Sequence, residues 1–326
     1  MIRVLVKRLS YGLGLLLAVL VLNFLLIRLA PGDPADYLAA ASGGASEEFI
    51  RHIRSVYGLD KPVLEQLWIY IVKTASGDLG MSYHFNVPVL DLFLDRAGPT
   101  ILLIATAASL ALLIGTSLGV LAARRPNSLF SSFVMTLSVV GYAAPAFWTG
   151  LLLLITFSYK IDIFPMQGMY NISLEGGPLR HILDVALHLV LPAITLAIIY
   201  IAQYSRLTRA SMLEVLSSDY VRTARAKGLG DFQVSFKHAL RNAILPVITI
   251  TGLHVGSLLS GAVLVEAVFH WPGLGTLAFE AILRRDYPVL LGMLLFSAVM
   301  VVIANLLTDL CYAWADPRVR AGGRAT

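Results

Sequence analysis

The chain has 326 residues, a formal net charge of +5 and 57% hydrophobic residues, and only 14% of its residues are charged, against about 25% in an ordinary soluble domain. That shortage of charge excludes a soluble globular chain and points to one membrane-embedded unit over residues 1–326. A single cysteine, Cys311 in an apolar run, leaves no material for a disulfide framework or a thiolate metal centre.

Residues 1–10 carry Arg3, Lys7 and Arg8 ahead of an apolar run from Leu13 to Ile27. This mimics a secretory leader, but the run is long for one and Ala30-Pro31-Gly32-Asp33-Pro34 offers no small-x-small cleavage site. It reads as an uncleaved first membrane helix with its N-terminus in the cytoplasm. Residues 31–96 are too polar to span and read as a small helical extracytoplasmic subdomain. They hold an amphipathic piece from Glu47 to Tyr57, a break at Gly58-Leu59-Asp60-Lys61-Pro62, a helical piece near Leu64 to Thr74, and a turn at Gly77-Asp78-Leu79-Gly80. Five further apolar stretches approach or exceed the roughly 20 residues that a bilayer requires. They are Pro99 to Ala122, Phe133 to Phe157, Val185 to Ile201 (running on helically toward Met212), Ile244 to Val268 and Val289 to Ala313. Pro145, Pro192 and Pro246 are expected to kink or start helices, since neighbouring groups can satisfy the carbonyls that a membrane proline frees.

Six spans with both termini in the cytoplasm place 15 of the 25 basic residues, but only 4 of the 20 acidic ones, in inner segments. Basic residues set membrane orientation, so the basic balance is a topology signal and gives no reason to expect nucleic acid.

The longest basic insert, residues 206–246, lies between two apolar segments. Ser218 or Asp219 can cap a short helix there, and Gly228-Leu229-Gly230 can end it. Tyr220, Ala224 and Gly228 fall at i, i+4 and i+8, one narrow stripe that another protein could approach closely. Arg222, Arg225 and Lys227 lie off the stripe and make the helix cationic. A solvated basic loop kept inside by its charge would look the same from composition alone.

No G-x-x-x-x-G-K-[ST] loop occurs, so ATP hydrolysis by that mechanism is excluded for this chain. The seven histidines form no H-E-x-x-H pair, and no catalytic or metal site is expected. The string Gly115-Thr116-Ser117-Leu118-Gly119 matches G-x-S-x-G, but inside an apolar span it cannot form a nucleophile elbow. Gly115 and Gly119 instead have the spacing that lets a second helix pack closely. Asp309 lies inside a span and Glu266 near the end of one; Asp309 is read as structural. His254, Ser257 and Ser260 put polar groups on the fifth span, either lining a pathway or hydrogen-bonding between helices.

From end to end the chain resembles the permease subunits of binding-protein-dependent ABC importers, in the dipeptide, oligopeptide and nickel group. The resemblance rests on Pro31-Gly32-Asp33-Pro34, Gly58-Leu59-Asp60 with Pro62, Gly77 to Gly80, Pro145-Ala146-Phe147 with Gly150, and His188 with Leu191-Pro192-Ala193. Its central block is Asp219-Tyr220, then Thr223 to Gly228, His238 to Asn242 and Leu245-Pro246. Gly261-Ala262, Glu266, Phe269, Trp271 to Gly275, Asp286-Tyr287-Pro288 and Asp316-Pro317-Arg318 complete it.

The resemblance implies an all-α integral membrane protein with the type I ABC importer permease fold, lodged in the bacterial inner membrane. It implies that the central block is the EAA loop, with Asp219, Tyr220, Arg222, Thr223, Ala224, Arg225, Ala226, Lys227 and Gly228 forming a coupling helix that docks on an ATPase subunit. Arg222-Thr223-Ala224 stands where the general pattern has an acidic residue and two alanines, which narrows the subgroup to the peptide carriers. The implied partners are a second, homologous permease, two ATPase subunits that bind ATP and magnesium, and an extracytoplasmic solute-binding protein; this chain itself is expected to hold no cofactor and to catalyse nothing. The implied cargo is a di- or oligopeptide, with nickel chelates, glutathione and oligosaccharides as alternatives within the class. A membrane-embedded enzyme and a standalone channel are the readings from other classes, and neither has a use for the basic insert.

Overall fold

In the computed structural model the described residues are 2–29, 61–173 and 176–315. Pro31 to Pro34, the amphipathic piece Glu47–Tyr57, Gly58 to Asp60 and Asp316 to Arg318 lie outside them. Among the described residues the secondary structure is helical, with one isolated antiparallel bridge between Met81 and Pro88. In chain order the helices are α1 (Ile2–Leu29), α2 (Val63–Ala75), α3 (Val89–Leu110, a π turn Ala111–Gly115, then Thr116–Arg124), α4 (Leu129–Ala143) and α5 (Ala146–Leu153 with the wide turn Leu154–Lys160). There follow α6 (Pro178–Leu216), α7 (Asp219–Ala226), α8 (Asp231–Gln233, a π turn Val234–Ala239, then Leu240–Ala243), α9 (Leu245–Phe269), α10 (Leu274–Arg284) and α11 (Tyr287–Ala315).

Three stretches, Arg8–Leu26, Val89–Arg124 and Pro178–Leu216, are long and apolar enough to cross a membrane, and counting two sharply bent pairs raises the number to five among the described residues. One bent pair is α4 with α5, which meet at 107° where a single span over Phe133–Phe157 was expected. The cause is local. Ala144 is held extended (φ −77°, ψ 128°) by the ring that follows it, and Pro145 (φ −61°, ψ 136°) lacks the N–H that would continue the ladder. Pro246 sits in the first turn of α9, as expected, whereas α6 runs through Pro192 without interruption. At 39 residues α6 is about 58 Å long, well beyond the roughly 30 Å of hydrocarbon, so its polar C-terminal turns extend past the apolar part.

The chain forms two compact units, Met1–Ala97 with Leu277–Val302 and Gly98–Thr276 with Ile303–Thr326. In the first, the helix expected near Leu64 to Thr74 is α2, and the turn at Gly77 and Gly80 uses positive φ at both glycines. Asp78 Oδ1 accepts the Gly80 N–H at 3.0 Å. Arg28 donates to Gln66 Oε1 at 2.7 Å, fastening α1 to α2, and buried Asn23 donates to the Leu291 carbonyl at 3.0 Å. Asp286, 1% exposed, accepts from the Ser82 hydroxyl at 2.5 Å and from the N–H groups of Tyr83 and His84.

In the second unit, α6 is the central post. Gly115 and Gly119 bring α3 so close to it that a Cβ on Gly119 would lie 2.6 Å from Thr208 Cβ and 2.7 Å from the Ser205 carbonyl oxygen. The small-residue spacing is therefore a helix-packing device, and Ser117 lies on a helix with no elbow around it. α4 meets the same post through a Ser138–Ser205 hydroxyl pair at 2.7 Å and through Arg209 Nε donating to Ser131 Oγ at 3.0 Å. Gly119→Leu is expected to destabilise the purified chain in detergent by about 3 kcal/mol, since backbone and not a flexible side chain must yield. Gly14→Ala, where a Cβ meets open space, should leave the melting temperature unchanged.

The end of α9 is organised by a buried carboxylate. Glu266 is fully buried; its Oε1 accepts from Thr100 Oγ1 at 2.6 Å and its Oε2 from the N–H groups of Gly275 at 2.7 Å and Thr276 at 3.2 Å. Thr100 Oγ1 in turn accepts the Leu274 N–H at 2.8 Å, and Trp271 Nε1 donates to the Pro99 carbonyl at 2.9 Å. A Cβ on Gly273 would collide with the Glu266 carboxylate, and one on Gly275 with the Val263 backbone as well as that carboxylate. The Trp271 to Gly275 segment is thus a wrap around one acid, seated at the N-terminus of α10 where free N–H groups favour negative charge.

Candidate functional site

Leu216 ends α6, and the chain re-enters a helix after two serines. Their hydroxyls donate back, Ser217 to the Glu214 carbonyl at 2.7 Å and Ser218 to the Val215 carbonyl at 2.6 Å. Ser218 therefore occupies the N-cap position of α7 with extended backbone but closes the preceding helix with its side chain. Asp219 opens α7, favoured there by the helix dipole, with Arg222 3.7 Å away on the exposed surface.

The other end is a Schellman stop. Gly228 has φ +81°, its N–H donates to the Arg225 carbonyl at 2.9 Å, and the Leu229 N–H reaches back to Ala224 at 3.4 Å. Leu229 then folds under the helix into a cluster with Val221, Ala224, Val234, Val215 and Leu216. A helix of eight residues is too short to hold itself together in water, so this apolar seat makes it rigid. The floor below is α8, whose Ala239 and Ala243 pack with Val120, Ala123 and Met212.

The expected stripe of Tyr220, Ala224 and Gly228 is divided by this seating. Ala224 is 8% exposed and faces the chain's own core, Gly228 serves the left-handed stop, and Tyr220 remains 43% exposed. The open face carries Tyr220, Arg222, Thr223, Arg225, Ala226 and Lys227. Tyr220 is held upright by Asn242, whose Nδ2 donates to the phenol oxygen at 2.8 Å. Arg225 approaches Asp231 at 3.9 Å, an exposed pair of small energetic weight. Val221 was not singled out in the sequence, although Val221 and Ala224 at i, i+3 followed by Leu229 are the apolar period that marks the seated side.

A second feature lies beside α6. An open groove of about 590 Å³ runs between one face of α4 (Met135, Tyr142), one of α6 (Gln203, Arg206) and one of α9 (His254). His254 stands edge-on to the rings of Tyr200 and Tyr204, with centroids 5.2 and 6.2 Å away. Ser257 and Ser260 follow on α9, but their side chains, like that of Asp309, lie outside what is described. Among the described residues there is no cluster of three His, Cys, Asp or Glu side chains that could hold a metal ion.

Residues 115–321 match the family described as binding-protein-dependent transport system inner membrane component, and residues 1–105 match the N-terminal membrane component of the same systems. The dipeptide transport system permease protein of Escherichia coli K12 is 39% identical over 337 residues, covering 98% of this chain and 99% of its own length. The di/tripeptide transport system permease protein of Pseudomonas aeruginosa is 41% identical with the same coverage. The oligopeptide transport system permease protein of Bacillus subtilis is 40% identical over 317 residues, covering 96% of this chain and 98% of its own length. Among solved structures, an inward-facing form of the MetNI methionine ABC transporter matches with a TM-score of 0.55 at 14% identity, over 69% of this chain and 96% of that one. At that identity the likeness speaks for the fold alone.

Proposed function

Because the chain belongs to the family of binding-protein-dependent transport system inner membrane components, we propose that it is the permease subunit of an ATP-driven importer of di- or oligopeptides. The carrying observation is end-to-end similarity, near 40% identity, to permeases of three peptide transport systems. In this reading the chain is a single permease of six spans in a bacterial inner membrane, with both termini in the cytoplasm. It pairs with a second permease and two ATPase subunits, which bind ATP and magnesium, and receives cargo from an extracytoplasmic binding protein.

The geometry fits a subunit that transmits motion and performs no chemistry. An importer alternates between two states, and ATP can bias them only by differential affinity at the ATPases. Their closure must therefore reach the spans mechanically. α7 offers the ATPase an aromatic and cationic face, formed by Tyr220, Arg222, Thr223, Arg225 and Lys227, while its other face is welded by Val221 and Ala224 to the ends of α6 and α8. A push on α7 passes into α6, one continuous helix from the basic insert through the apolar region. Aromatic anchors carry much of the energy of such interfaces, which gives Tyr220 the leading part. His254, with Ser257 and Ser260 on the same helix, is assigned to the solute path.

The test is co-purification of the tagged chain with its genomic neighbours in mild detergent. The expected result is a complex holding a second permease and a nucleotide-binding subunit, with ATP hydrolysis stimulated by the peptide-loaded binding protein. A stable homo-oligomer with no nucleotide-binding partner would sink this reading and bring the channel forward.

A further inference from the structure

We propose that the groove between α4, α6 and α9 receives the peptide's C-terminal carboxylate on Arg206. This rests on the importer reading and assigns a ligand group to a site within it. Two arginines lie one helical turn apart on α6 and are used differently. Arg209 is folded back, its Nε on Ser131 Oγ at 3.0 Å and its NH2 on the Pro126 carbonyl at 3.3 Å. Arg206 is exposed, lines the groove, and has no ion pair or hydrogen-bond partner among the described residues. Gln203, on the same wall, is half-buried and likewise without a hydrogen-bond partner among the described residues.

These groups match what all short peptides share. A guanidinium fork takes a carboxylate in two parallel hydrogen bonds, and it keeps its charge at any working pH. The Gln203 amide both donates and accepts, as a peptide bond requires. Tyr142, Tyr204 and His254 supply walls that tolerate differing side chains. The volume, about 590 Å³, falls within the roughly 300–1,000 Å³ of small-ligand sites. A site that reads only the backbone terminus leaves sequence selection to another component.

The experiment uses the whole complex, nucleotide-free, in phosphatidylcholine nanodiscs without the binding protein. The probes are radiolabelled trialanine and its C-terminal amide. Wild type is expected to bind the free acid about tenfold more tightly than the amide. Arg206→Gln should weaken the acid about tenfold and leave the amide unchanged, and Arg206→Lys, which keeps the charge but loses the fork, should retain only part of the preference. An unchanged ratio in Arg206→Gln overturns the proposal, as does binding of neither probe by a complex that imports trialanine. Failure of both variants to assemble would place Arg206 in a subunit contact and also overturn it. So would a preference erased by phosphatidylglycerol, which would make the arginine a lipid-phosphate contact. A wild-type complex that neither imports peptides nor couples to ATP sinks the proposed function itself, a distinct result.

Discussion

Glu266→Ala is expected to destabilise the chain by about 3 kcal/mol or more, because it strands two buried donors and one part-buried donor at once. The Thr100 hydroxyl and the N–H groups of Gly275 and Thr276 all point at this carboxylate, and the site is closed to water. Glu266→Gln keeps the shape but turns an NH2 toward groups that are themselves donors, so it should be nearly as harmful. Thr100→Val removes a single partner and is expected to cost about 1–2 kcal/mol. Thermal unfolding of the purified chain in detergent gives the ranking. A Glu266→Ala protein that melts with wild type would show that the wrap is held by Trp271 and its packing alone.

The second large effect is expected at α7, where two neighbouring substitutions should fail for different reasons. Ala224→Glu drives a carboxylate into the seat formed by Val221, Val234 and Leu216, a burial that costs several kcal/mol, so the helix should lift off its own chain. Tyr220→Ala leaves the seat intact and removes the exposed anchor, with an expected loss of ATPase association of tenfold or more. Limited trypsin digestion separates them: cleavage at Arg222 and Arg225 should rise sharply in Ala224→Glu and stay near wild type in Tyr220→Ala. Asn242→Ala removes the hydrogen bond to the Tyr220 phenol while keeping the ring, and should lose less association than Tyr220→Ala. Equal protease sensitivity of Ala224→Glu and wild type would refute the buried seat.

Much of this was legible in the sequence, for reasons that can be named residue by residue. The α7 boundaries were legible at Ser218 and Gly228, but only Gly228 acts as the cap expected of it, since the Ser218 hydroxyl turns back to the Val215 carbonyl. Close helix packing at Gly115 and Gly119 was legible as spacing, though not that the partner is α6, and the bend at Pro145 as a missing N–H. What escaped was rotation about helix axes. An apolar span shows little amphipathic contrast, so composition could not tell that Arg206 and Arg209 part ways one turn apart; in α7 the contrast is present, Val221 and Ala224 against Arg222 and Arg225, but the i, i+4 stripe of Tyr220, Ala224 and Gly228 masks it. Glu266 escaped for another reason. Its partners, Thr100 on one side and Gly275 on the other, are far apart in the chain, and nothing local marks an acid as the hub of a loop.

The wide turns at Ala111–Gly115, Leu154–Lys160 and Val234–Ala239 bear on that blindness. Each holds more residues than an α turn, and one extra residue resets the angular phase of everything downstream by about 100°. In α3 the slip falls at Ala111–Gly115, within the stretch that packs against α6. No single helical wheel therefore fits Val89 to Arg124: positions that share a meridian before the slip are on different meridians after it. Each half of that helix needs its own azimuth before its residues can be assigned to lipid, solute or neighbour.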